Sequence, residues 1–218
     1  MSQENPISIG KLILIPALIT LGVTILRLVG ELQNWPPPLF SRAAGGGFAI
    51  IGIVWLPVVF GIYFALKLTG AGAGPSSFGK AFGFTGLGLV LIVGGLYLFG
   101  TSQFSGAKLA AGCVLIAAAA LAPILGWPTL TKTLLAYGYA ARIPVAIIMY
   151  FALAGNWGTH YDGLPPNLPE MSFWTKYVVI GLIPQLIAWI AFTVIVGMLV
   201  GSITAAIAGR GKTVAPAT

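Results

Sequence analysis

VVIGLIPQLIAWIAFTVIVGMLV, residues 178–200, carries no charged side chain. A bilayer core about 30 Å thick is crossed by about 20 helical residues, so an apolar run of this kind reads as a transmembrane helix. A membrane barrel would instead show alternating apolar and polar residues in stretches of about ten. The full apolar region runs from Trp174 to about Ala208. That is too long for one perpendicular span and predicts a tilt, or an extension past the bilayer on the C-terminal side.

Five more spans are predicted upstream: Leu12–Leu32, Gly47–Leu68, Gly83–Gly100, Ala107–Gly126 and Lys132–Ala154. The expected fold is an all-α integral membrane protein. It is a single domain over residues 1–218, a bundle of six transmembrane helices, several of them proline-kinked, with no soluble domain. Residues 155–175 form its outer loop. A secretory signal is the rival reading of the first run, and Arg27 with the absence of a small-x-small cleavage site argues against it.

Composition agrees. Of 218 residues, 58% are hydrophobic and 7% charged, with mean hydropathy +0.98. A soluble domain carries about 25% charge, and a disordered chain needs low hydrophobicity. The net charge of +7 would suggest nucleic acid in a soluble protein. Here the basic residues flank spans, and no nucleic-acid partner is expected. Lys11, Lys67, Lys80, Lys132, Arg210 and Lys212 fall on one side, against Arg42, Lys108 and Lys176 on the other. The positive-inside rule then places both termini in the cytoplasm, with the chain in the plasma (inner) membrane. Trp35, Trp157 and Trp174 sit at predicted outer boundaries and Trp127 at an inner one, as headgroup anchors do. Trp55 and Trp189 lie deeper and need packing or an acceptor.

Pro16, Pro57, Pro144 and Pro184 fall inside four predicted helices, where each removes a backbone donor and bends the helix. Helices in lipid associate through small residues. Gly197 and Gly201 form a GxxxG pair, a packing face for the chain itself or for another subunit.

Motifs for familiar chemistry fail on inspection. Gly74–Ala81 resembles a phosphate loop, but Ala81 stands where a magnesium-holding hydroxyl belongs, and no strand precedes it. One histidine and one cysteine, with four acids, are a poor supply for a site of three or four ligands, so neither metal nor cofactor is expected.

Arg142 is the costly residue. It lies near the middle of the fifth predicted span, where an arginine costs about 2.5–3.5 kcal/mol on insertion scales. Helical spacing places Tyr139 and Tyr150 on its flank, and Gln185, Trp189 and Thr193 form an i, i+4, i+8 stripe on the sixth span that could face it. Glu31 lies too far toward the outer boundary to reach Arg142. Arg27, at i, i+4, is its better partner. Arg142 must therefore bond to carbonyls freed near Pro144 and Pro184, or face a wet cavity. In the outer loop, a His160–Asp162 pair above Glu31 has the residue types for acid–base work.

Three functions are compatible with these residues. The first is a non-enzymatic structural or accessory membrane subunit. The second is a small transporter or lipid- or anion-binding protein with an outward-facing cavity around Arg142, Tyr139, Tyr150, Gln185, Trp189, Arg27 and Glu31. The third, ranked last, is an intramembrane enzyme using His160, Asp162 and Glu31. Expected partners are the lipid bilayer and either other membrane subunits or further copies of the chain.

Overall fold

The computed structural model describes residues 8–46, 49–164 and 168–210, with the side chain of Arg210 left out. Gly47 and Lys212, used in the sequence reading, and residues 165–167 of the 155–175 loop lie outside the described residues. The described chain is helical, without strands. Helix α1 is Ile9–Leu32, α2 Leu56–Gly70, α3 Phe78–Gly100 and α4 Gly106–Leu125, whose last four residues tighten into a 3-10 turn. Helix α5 is Pro128–Gly155 and α6 is Phe173–Gly209. All but α2 are long and apolar enough to cross a membrane.

The distribution of polarity on α1 is inverted relative to a soluble helix. Leu14, Ile15, Leu18, Ile25 and Leu26 are exposed, whereas Thr20, Thr24, Arg27 and Glu31 are buried. Such a helix can hide its few polar groups inside only if its outer face meets an apolar medium. The buried hydroxyls are satisfied locally. Thr20 donates to the Pro16 carbonyl at 2.8 Å and Thr24 to the Thr20 carbonyl at 2.9 Å. Thr20 also shares a 2.8 Å hydrogen bond with the Tyr137 hydroxyl, which ties α1 to α5.

One end of the bundle is sealed by close backbone approach. A Cβ on Gly61 of α2 would lie 2.8 Å from the Gly197 Cα of α6, and one on Gly201 would lie 2.7 Å from Leu130 Cδ2 of α5. Around this seam pack Phe60, Phe64, Leu130, Leu134, Tyr137 and Met198. The GxxxG pair is thus used inside the chain. Both glycines are buried and offer no face to another subunit.

Several expectations need correction. The second helix begins at Leu56 and not at Gly47. Residues 49–55 are bends and turns, because Gly45 and Gly46 adopt positive φ and the Gly46 carbonyl turns toward Arg27. Pro57 therefore lies in the first turn of α2, where its missing N–H costs nothing, and no kink arises there. The third helix starts earlier, at Phe78, with Ser77 as its cap. Trp127 is no headgroup anchor. It is 1% exposed and donates Nε1–H to the Ala73 carbonyl at 2.8 Å. Trp55 remains about half exposed just before α2.

Helix α6 is interrupted by two wide turns, Tyr177–Leu182 and Pro184–Ala188, with i→i+5 character. Pro184 cannot donate to the carbonyl one α-turn back, and a wider turn absorbs the mismatch.

Candidate functional site: a basic cavity beneath residues 160–163

A cavity of about 720 Å³ lies between α1, the α1–α2 connection, the α3–α4 turn, α5, residues 160–163 and the wide turns of α6. Its walls are mostly apolar, including Ile53, Val145, Met149, Val179 and Ile180. Arg142 and Trp189 are the lining residues of α5 and α6 farthest from the loop, and Arg27 and His160 line the loop-proximal part. At 1.5 Å per residue, Arg142 sits about 20 Å below the end of α5.

The loop-proximal part is built around Glu31, which is fully buried. Its Oε1 accepts from Arg27 Nε at 2.8 Å and lies 2.6 Å from His160 Nδ1, while Oε2 accepts the His160 backbone N–H at 2.8 Å. Arg27 Nη2 donates to the Ser41 and Gly46 carbonyls at 3.1 and 2.6 Å. Arg42 donates through Nε and Nη2 to the Glu31 carbonyl, the last turn of α1. Glycine is required beside this cluster. Gly46 has φ 88°, and a Cβ on Gly52 would sit 2.9 Å from Arg27 Nη1. The Arg27–Glu31 spacing made that pair legible in the sequence. The roles of Gly46, Gly52 and the Arg42 contact were not.

The expected His160–Asp162 pairing does not occur, and this is a correction. Asp162 turns back on its own loop, accepting from the Gly158 and Thr159 amides at 2.8 and 2.7 Å and from the Thr159 hydroxyl at 2.6 Å. Its burial raises the carboxyl, but these Thr159 and Gly158 hydrogen bonds outweigh that and hold it below its usual value. Burial pushes the His160 ring below its usual value. Glu31 pulls it up and Arg27 pushes it down again. A neutral ring donates Nδ1–H to Glu31 and leaves Nε2 as an acceptor. Tyr161 anchors the loop further, donating its hydroxyl to the Thr24 carbonyl at 3.2 Å.

At the far end, Arg142 is 5% exposed. Among the described residues its side chain makes one hydrogen bond, from Nη1 to Gln185 Oε1 at 3.3 Å, and has no carboxylate partner. The guanidinium carbon lies 4.5 Å from the Trp189 ring centroid, a stacking distance. Thr193, the third member of the predicted stripe, bonds back to the Trp189 carbonyl at 2.8 Å and does not line the cavity.

Tyr139 and Tyr150 are not brought to Arg142. Tyr139 is 44% exposed on the outer face of α5, and Tyr150 packs against Phe173, Trp174 and Tyr177. Val145 and Met149, at i+3 and i+7, occupy the flank the sequence reading assigned to them. No group of three or more potential metal ligands occurs among the described residues. No family model, curated protein or solved structure matches the chain.

Proposed function

We propose that the protein resides in a membrane, the plasma (inner) membrane with both termini cytoplasmic, and binds an anionic ligand in the cavity around Arg142 as a small transporter or carrier. The observation that carries this reading is the state of Arg142: a buried guanidinium on a cavity wall, with one long hydrogen bond and no carboxylate partner among the described residues. A buried charge without a counter-charge costs several kcal/mol, and an anion in the cavity offsets that cost.

The accessory-subunit reading drew on the GxxxG face, which the chain uses for its own packing. The enzyme reading keeps an oriented base in His160, but among the described residues no hydroxyl or thiol is hydrogen-bonded to its ring.

Reconstitution in liposomes tests the proposal. The wild-type chain should bind or pass organic anions, and Arg142→Met should lose this while still inserting and eluting as a folded species. Equal binding and flux in the two proteins would overturn it.

A further inference from the structure

The cavity's charge and size narrow the ligand further, on the basis of the anion-site reading above. The charged groups at its wall are Arg27 and Arg142, and Glu31 neutralises Arg27 from behind at 2.8 Å. Asp162 is committed to its own loop. His160 lies against that Glu31 carboxylate. One uncompensated positive charge remains, at Arg142. In a low-dielectric interior a monoanion closes that balance. A phosphate monoester, carrying about −1.5 to −2 at neutral pH, leaves an excess of negative charge.

Volume adds a second limit. At about 30 Å³ per small group, the share of a water in the liquid, 720 Å³ holds about 24 such groups. That room takes one short chain or ring system within the walls.

Geometry gives the third limit. The Trp189 ring lies 4.5 Å from the guanidinium carbon, and the guanidinium N–H groups not given to Gln185 remain for a planar, two-oxygen acceptor. Gln185 accepts from Arg142 through Oε1, so its amide NH₂ remains as a donor beside the same spot. We infer that the ligand is an apolar monocarboxylate, its head on Arg142 and Gln185 and its body against Val145, Met149, Val179 and Ile180.

Binding to the purified full chain in detergent separates this inference from the coarser one. The probes are hexanoate, octanoate and decanoate, the matched 1-alkanols, octyl phosphate and inorganic phosphate. Carboxylate affinity should rise about fourfold per methylene. Octanoate should bind at least about tenfold tighter than 1-octanol, the scale of one charge-assisted hydrogen-bonded pair. Arg142→Met should erase that difference while leaving 1-octanol binding unchanged. If Arg142→Met fails to fold, Arg142→Gln makes the same comparison with a smaller change in polarity, and Gln185→Leu should weaken octanoate selectively. Tighter, Arg142-dependent binding of octyl phosphate or of inorganic phosphate overturns the monocarboxylate assignment and leaves the anion site standing. If no anion binds better than 1-octanol and the Arg142 variants change nothing, both fall.

Discussion

The glycine seam and the cavity are built on opposite terms. In the seam, Gly61, Gly197 and Gly201 let α2 and α6 approach until backbone atoms touch, while Leu130 and Leu134 of α5 pack onto Gly201 and Gly197 and Phe64 fills what is left. Around the cavity, α5 and α6 are joined through side chains, Tyr177 to the Ala146 carbonyl and Arg142 to Gln185, and the loop-proximal part is framed by Arg27, Glu31 and His160 tied to one another and to loop carbonyls. In the first region fit alone excludes solvent. In the second, charged groups hold an opening in shape. The contrast teaches that the two halves should respond to substitution through different physics.

The strongest test falls on the cavity frame. Glu31→Ala leaves Arg27 buried without its counter-charge and releases His160, and should cost about 3–5 kcal/mol in stability, read as a fall in midpoint in denaturant titrations. An effect under about 1 kcal/mol would mean the Glu31 cluster is not structural. Next comes the seam. Gly61→Ala drives a methyl group against the Gly197 backbone, which cannot swing aside as a side chain can. The expected loss is about 1–3 kcal/mol by the same measurement. If that variant is as stable as wild type, the seam is looser than described.

Arg142→Met should separate the regions most clearly. It removes a charge that has no carboxylate partner and leaves Gln185 Oε1 without its donor, a cost of about 1 kcal/mol that the removal of an unpaired buried charge offsets. Stability should hold or rise while anion binding disappears.

The smallest expected effect is on pH dependence. His160 titrates below its usual 6.5. Its stabilising contribution is therefore complete above pH 6.5 and is lost as pH falls through the lower folded value. Asp162 follows the same direction beneath 3.8. His160→Gln should flatten the stability profile in the upper of these two windows and leave the lower one unchanged.

The long spans were legible because uninterrupted apolarity is a one-dimensional signal. So was the i, i+4 Arg27–Glu31 pair, which lies within one helix. The start of α2 was not legible, because Ala49–Trp55 is as apolar as a helix while its path is set by Arg27 taking carbonyls from a neighbouring segment. Tyr139 and Tyr150 were assigned to the wrong surroundings for a related reason. Angular spacing on α5 puts them near Arg142, but the direction of the cavity is decided by where α6 lies, and α6 departs from α-helical winding at that level. His160 finding Glu31 and not Asp162 is a contact across 129 positions of sequence, beyond any local rule.

Those departures in α6 have a consequence for deletion. Each wide turn holds about one residue more than an α-turn, and one residue corresponds to about 100° of rotation. Removing a single residue between Tyr177 and Ala188 would allow one of the turns to relax into ordinary winding. Either Val179 and Ile180 or Gln185 would then swing about a quarter-turn away from the space they now bound, while the glycines near the other end of α6 kept their place. The helix thus carries two angular registers in one rod, and the seam and the opening can be tuned by indel without changing a side chain in either.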